Sequence, residues 1–144
     1  MSIIVKFFVA PDDTSAGLAL QTGPGRVFES LSFGNFDPEE AVLEWECLLG
    51  CGSFEELGDA GEPRIVAGQD NDGCVVFAMS PRLSAALADA GHARLRDVAA
   101  AWAQLRTEDG EAIDTEIADA IVSDLAGLVS SARRQNQGVY CWVA

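Results

Sequence analysis

The sequence predicts a single α+β domain, in which about five strands form a mixed or antiparallel sheet with four to five helices packed on it. Two observations carry this prediction. β-Branched and aromatic runs near both ends and in the middle of the chain are typical of strands, and amphipathic stretches between them are typical of helices. The 144 residues also suit one domain with a real core, and 49% apolar with 22% charged residues is typical of a folded protein.

The first third of the chain predicts two strands separated by a long loop. Residues 3–9 are nearly all β-branched or aromatic, which indicates a strand covered on both faces, with Lys6 at an edge or rim. Residues 12–25 contain three glycines and a proline, so we expect a loop that holds at most one helical turn. The second strand begins within residues 26–33.

Two helix starts follow the second strand. Asp37 is a suitable N-cap and Pro38 suits the first helical position, so a helix is predicted over residues 37–49, with Gly50 at its end. Residues 53–56 form a second capping box that opens a short turn of helix.

The rest of the chain predicts a hairpin, three helices and a closing strand. The hairpin turn has the tight-turn composition Asp70-Asn71-Asp72-Gly73. The elements are strands 64–67 and 74–79, helices 81–91, 92–106 and 115–135, and strand 139–143. Helical periodicity then predicts two buried arcs. They are Leu95, Val98, Ala99, Trp102 and Leu105 in one helix, and Ile117, Ile121, Leu125, Leu128 and Ala132 in the next.

Acidic residues are concentrated in two windows that contain no basic residue. Residues 37–62 hold nine acids and residues 108–124 hold seven, in a chain with 23 acids and a net charge of −14. Such a surface repels nucleic acid and anionic membranes and attracts cationic partners. The alternative is a solvated acidic skin that keeps the protein soluble.

The helix over residues 37–49 contains the predicted partner-binding residues. One apolar arc, formed by Ala41, Val42, Trp45, Leu48 and Leu49, is expected to face the core. Leu43 and Cys47 fall on the opposite side, and four carboxylates lie between the two arcs, those of Glu39, Glu40, Glu44 and Glu46. An exposed apolar strip rimmed by carboxylates suits a basic partner. The alternative is a sandwiched helix, with the strip under the turn formed by residues 51–57.

The cysteines and the single histidine predict neither a metal site nor catalysis. Cys47 and Cys51 resemble a ligand pair, but a structural zinc site needs a second close pair, and Cys74 and Cys141 are far apart. We expect reduced thiols that pack as small apolar side chains. His92 follows a glycine at a helix start, and no nucleophile motif accompanies it. No catalytic residue, metal or cofactor is therefore predicted, and an enzyme is disfavoured.

The leading hypothesis is a small acidic interaction protein that binds a basic partner, as an immunity protein neutralises a toxin. Residues 1–13 show no secretory signal, and an arginine-rich, alanine-rich composition suggests a bacterial genome, so a cytoplasmic location is expected. One alternative is a small-molecule binder or enzyme, with a pocket near residues 14–25 and the three tryptophans, Trp45, Trp102 and Trp142. Another is a non-catalytic homo-oligomer subunit, paired through the acidic helix or through an exposed edge at residues 138–144. Binding to nucleic acid or membrane is not expected.

Overall fold

The computed structural model describes residues 4–20, 23–25, 28–34, 36–50, 53–59, 64–68 and 74–144. Within these ranges, the chain forms one five-stranded antiparallel sheet and six helices, which confirms the predicted α+β fold class. In chain order the elements are β1 (Ile4–Ala10), α1 (Asp13–Gly17), β2 (Ser30–Gly34), α2 (Pro38–Leu48), α3 (Phe54–Asp59), β3 (Arg64–Gly68), β4 (Val75–Ala78), α4 (Pro81–Asp89), α5 (His92–Glu108), α6 (Thr115–Arg134) and β5 (Gly138–Val143).

The sheet has the strand order β2-β1-β5-β4-β3, so the last strand of the chain lies at its centre. β5 pairs antiparallel with β1 on one side, where Phe8 faces Tyr140, and with β4 on the other, where Phe77 faces Cys141. The suggested exposed edge at residues 138–144 is therefore wrong, because β5 is paired on both sides. Among the described strands, the sheet ends at β2 and at β3.

Side-chain alternation along the strands separates two cores. Val5, Phe7 and Val9 of β1 face the larger core, which α2, α4, α5 and α6 complete. Phe8 and Ala10 face the smaller core on the other side of the sheet, which α1 and the following loop cover. The helix layer thus lies on one face of the sheet, and of the described helices the short α1 lies on the other.

The loop after α1 packs on Trp142. The indole Nε1 of Trp142 donates a hydrogen bond to the Leu20 carbonyl at 2.8 Å. Gly23 lies above the same ring in a left-handed conformation, and a Cβ there would come within 3.2 Å of the indole. Glycine is therefore required at this position both by the backbone and by the close approach.

The helix starts follow their predicted caps. The Asp37 carboxylate accepts hydrogen bonds from the amides of Glu39 and Glu40 at the start of α2, and Ser80 caps α4 in the same way. The predicted turn at residues 70–73 lies outside the described residues, as does Cys51. Among the described helices, none combines the length and the apolarity that crossing a membrane requires.

Two of the predicted arc positions differ from the structure. Ile117 is exposed, so its predicted place on the buried side of α6 is wrong, because Ala118 occupies the buried position in the first turn. In α5, Leu105 is only half-buried, whereas the next residue, Arg106, is buried. The second difference positions the candidate site.

Candidate functional site

Arg106 is a buried cation near the end of α5. It follows Trp102 by one helical turn and therefore lies on the face of α5 that packs against α2. The two tryptophans of this contact, Trp45 and Trp102, meet edge to face with ring centroids 5.0 Å apart. Only 3% of Arg106 is exposed, so its guanidinium needs partners inside the protein.

Four carboxylates supply those partners. Nη2 of Arg106 lies 2.6 Å from Glu44, 2.6 Å from Asp109 and 3.3 Å from Glu40, and Nη1 lies 3.3 Å from Glu111. We name these five residues the acidic junction. Its four carboxylates and one guanidinium carry a formal charge of −3. The side chains of Glu40, Asp109 and Glu111 are 40–61% exposed, so most of this charge faces solvent.

The acidic junction joins the two acidic windows. Glu40 and Glu44 belong to the first window, and Asp109 and Glu111 belong to the second. The helix pair α2–α5 brings them together, because Arg106 ends the packed face of α5 just before the second window begins. Carboxylates from two acidic segments that are distant in sequence therefore meet at Arg106.

Glu44 is the buried carboxylate of the acidic junction. Its Oε2 receives the Arg106 contact, and its Oε1 accepts a hydrogen bond from Trp102 Nε1 at 3.2 Å. Burial raises the pKa of Glu44 above its usual value, and the charge and hydrogen bond of Arg106 offset only part of that effect. Burial also acts to lower the pKa of Arg106, but Glu44, Glu40 and Asp109 outweigh it, so the net shift is upward and the guanidinium stays charged.

The same carboxylates have the spacing of a cation site. Oxygen atoms of Glu40, Glu44 and Asp109 lie within 4.8 Å of one another, and no other such group occurs among the described residues. The Arg106 guanidinium contacts all three carboxylates and thus already occupies the place where a metal ion would bind. The arrangement is a carboxylate cage around an arginine.

The structure places the six predicted partner-binding residues in different environments. Glu39, Glu40, Leu43 and Cys47 are half-buried, whereas only 7% of Glu44 and 2% of Glu46 is exposed. The predicted exposed rim of carboxylates is therefore wrong for Glu44 and Glu46. α5 and α4 pack against the sides of α2 that would be exposed in an isolated helix. α3 packs beside α2, which favours the sandwiched alternative for the strip. Partner binding by these residues stays a prediction.

Glu46 forms the contact between α2 and α4. Its Oε1 accepts a hydrogen bond from Ser80 Oγ, and Ser80 Oγ accepts one from the Leu83 amide at 3.0 Å. Oε2 of Glu46 is buried and has no hydrogen-bond partner among the described residues. The Ser80 hydroxyl is engaged as donor and as acceptor, so it serves as a cap and a tether between helices.

The tryptophans do not line the cavity between α4 and α6. All three are buried in the two cores, Trp45 and Trp102 under the helices and Trp142 under the loop after α1. A cavity of ≈ 410 Å³ lies instead where the start of α4 meets the end of α6, lined by Met79, Pro81, Ser84, Val129 and Arg133 among others. The predicted pocket near residues 14–25 thus stays a prediction, and the cavity lies elsewhere.

The remaining chemical groups stand apart from the acidic junction. His92 is exposed in the first turn of α5. Cys141 is buried, which raises the pKa of its thiol well above the usual value, and Cys74 is half-buried. Comparisons of the chain with protein-family models, with curated proteins and with solved structures found no match. The function is therefore argued from the geometry of this site.

The sequence interpretation missed Arg106, Asp109 and Glu111 as site residues. A signal for Arg106 was present, because it lies four residues after Trp102 and seven after Ala99, on the apolar arc of α5. A charged residue at such a position indicates a buried ion pair. Its partners on α2 had no comparable signal, since only the packing of α2 against α5 selects them.

Proposed function

We propose that this protein binds a cationic protein partner through the acidic junction. One observation carries the proposal: both acidic windows meet at this point, and the four carboxylates exceed the charge of Arg106 by three. Exposed carboxylates gathered on one surface create a potential that attracts cations and speeds their association. The other acids of each window add to the same field.

Arg106 contributes by holding the site together. Without a cation between them, the carboxylates of α2 and of the segment after α5 repel one another at this spacing. With it, Glu40, Asp109 and Glu111 are fixed at the surface, where a lysine or arginine of a partner can reach them. Neutralising a cationic toxin or enzyme by covering it, as an immunity protein does, needs such a preorganised acidic surface and no catalytic group.

Two variants with the same net charge test the proposal. Asp109→Asn/Glu111→Gln removes two charges from the acidic junction, and the control Asp89→Asn/Asp97→Asn removes two exposed charges elsewhere. Each protein is immobilised, lysate of the source cell is applied at low salt, and bound protein is eluted with a salt gradient. We expect a basic protein that the wild type and the control retain, and that the junction variant releases at lower salt.

The dissociation constant of the purified partner then gives the size of the effect. We expect the junction variant to bind about fivefold or more weakly than the control, with a shallower salt dependence. If the two variants weaken binding equally, net charge alone decides the affinity and the acidic junction is not the site. Retention of no basic protein by the wild type would contradict the proposal as a whole.

A further inference from the structure

The outer edge of β2 has main-chain groups that no described strand satisfies. The Val9 amide donates to the Glu29 carbonyl at 2.9 Å, and Val9 opposite Glu29 continues the β1–β2 register, in which Phe7 faces Leu31. Because hydrogen-bonded pairs alternate along an antiparallel ladder, Leu31 turns its main-chain groups toward β1. Ser30 and Ser32 turn theirs away from the sheet. Among the described residues, nothing therefore pairs with the outer edge of β2, where a strand could be added.

A groove runs beside this edge. It has a volume of ≈ 290 Å³ and lies between Glu29–Leu31 of the chain and Ser123, Asp124 and Gly127 of α6. The α6 residues that line it are Ser123, Asp124, Gly127 and Leu128, and a Cβ at Gly127 would meet no atom within 4 Å. A chain paired with β2 would thus have room for the side chains that it turns toward α6.

The charge of the groove selects the occupant. Glu29 and Asp124 are exposed carboxylates that line the groove, and its described lining residues include no lysine or arginine. The Glu29 carboxylate is held by Ser131 Oγ at 2.7 Å. Lys6, which pairs with Ser32 across the strands, projects from the other face of the sheet, where its Nζ lies 5.9 Å from the Trp142 ring centre. The groove therefore favours lysine or arginine side chains.

The opposite edge of the sheet, β3, differs from β2 in the regularity of its pairing and in its charge. β3 has an irregular register between Ile65 and Ala67, and such a bulge disturbs the pairing of an edge with further strands. Arg64 places a cation there, paired with Asp13. Among the described residues, a regular strand beside two carboxylates occurs at β2 and not at β3.

We propose that an extended basic segment of the partner adds to β2 as a sixth strand, with its lysine or arginine side chains directed to Glu29 and Asp124. Main-chain hydrogen bonds to Ser30 and Ser32 would supply affinity, and the groove would supply selectivity. A second copy of this chain is disfavoured as the occupant, because β2–β2 pairing brings two acidic grooves together. The inference rests on the proposed function in taking the partner to be cationic.

The core connects the end of β2 to the acidic junction. Phe33 of β2 contacts Phe36 with ring centroids 6.3 Å apart, and Phe36 contacts Trp102 at 5.5 Å. Trp102 donates to Glu44, so a short series of aromatic rings connects the end of β2 to the acidic junction.

The test uses a labelled peptide of about eight residues that alternates lysine with threonine, and the same peptide with glutamate in place of lysine. Ser32→Pro removes the outward amide of β2 without removing a bond to β1, and edge strands tolerate proline. Ser32→Ala is its control, because it keeps the amide. Asp124→Asn is compared with Asp97→Asn, which has the same charge but lies on α5, away from the groove.

We expect the lysine peptide to bind the full-length protein at low salt and the glutamate peptide not to bind. Ser32→Pro should weaken binding about tenfold and Asp124→Asn about threefold, with little change in the two controls. Hydrogen exchange of the Ser30 and Ser32 amides in the wild type should slow when the lysine peptide is added. If Ser32→Pro fails to fold, this hydrogen-exchange measurement still tests whether the peptide pairs with β2.

Two results would overturn the inference. The first is lysine-peptide binding that Ser32→Pro leaves unchanged, or that leaves exchange at Ser30 and Ser32 unaltered; the peptide then binds the acidic surface elsewhere, and the proposed function stands. The second is no binding of the lysine peptide to the wild type. The proposed function fails separately, when Asp109→Asn/Glu111→Gln and its control retain the basic partner equally.

Discussion

Glu44 and Glu46 lie two residues apart on α2, and both are buried, but their partners differ in kind. Glu44 contacts a guanidinium and an indole N–H, those of Arg106 and Trp102. Glu46 accepts a hydrogen bond from the Ser80 hydroxyl, and none of the ion pairs between described residues includes it. The comparison shows that one helix carries two buried carboxylates for different purposes. Glu44 belongs to a charged site that reaches the surface, whereas Glu46 connects helices inside the core.

Of the variants that distinguish Glu44 from Glu46, the one that removes Arg106 should lower the free energy of unfolding most. We expect Arg106→Met to lower the free energy of unfolding by about 3–5 kcal/mol, because Glu44 would remain buried without a cation. Chemical denaturation followed by tryptophan fluorescence measures this change. The double variant Glu44→Gln/Arg106→Met should recover part of the loss, since it leaves no buried charge unpaired at this position.

Arg133→Met is the matched control for this change. Arg133 also forms an ion pair, with Asp89 at 2.7 Å, but both side chains are exposed. Its removal should cost at most about 1 kcal/mol. If Arg106→Met costs no more than Arg133→Met, Glu44 does not depend on the guanidinium and the acidic junction is not a structural unit.

The hydroxyl partner of Glu46 should have an intermediate effect. We expect Ser80→Ala to lower the free energy of unfolding by about 1–2 kcal/mol, because it removes the cap of α4 and the hydrogen bond to a buried carboxylate. Glu46→Gln keeps an acceptor for Ser80, so its effect should stay within about 1 kcal/mol. Denaturation curves of both variants check the order. A larger loss for Glu46→Gln than for Ser80→Ala would show that the negative charge itself is needed.

Local patterns predicted most of the fold. Caps such as Asp37 and Ser80 depend on neighbouring residues, so the helix starts could be derived from the sequence. The strand order depends on pairings across the whole chain, and the central position of β5 had no local signal. The exposed edge suggested for residues 138–144 was wrong for that reason.

The acidic junction shows more clearly what could not be predicted from the sequence. A wheel for α2 placed Glu39, Glu40, Glu44 and Glu46 between two apolar arcs, which is correct for an isolated helix. Which of them is buried depends on α4 and α5, which begin more than thirty residues later in the chain. The charge windows were visible in the sequence, but their meeting at Arg106 required the packing of α2 on α5.

A third carboxylate, which lies at the protein surface, can be compared with those of Glu44 and Glu46. Asp13 is exposed, and it accepts hydrogen bonds from the Tyr140 hydroxyl at 2.8 Å and from Arg64 Nη2 at 3.1 Å. The hydrogen bond from Arg64, followed by that from Tyr140, lowers the pKa of Asp13. Burial, followed by the hydrogen bond to Asp13, raises the pKa of Tyr140 from 10.0 to about 12. At this site the carboxylate acts by favouring the protonated form of the Tyr140 hydroxyl.

The stability of the fold should therefore fall at high pH. Folded protein keeps the Tyr140 proton up to a pKa of about 12, whereas the unfolded chain releases it near 10, so the stabilisation is full below pH 10 and is lost as the pH rises toward 12. Tyr140 is the only tyrosine, so tyrosinate absorbance in the folded protein reports this one group. Asp13→Asn should move the midpoint down, because the charge that opposes deprotonation is gone. A midpoint near 10 in the wild type, unchanged by Asp13→Asn, would show that Asp13 does not raise the pKa of Tyr140.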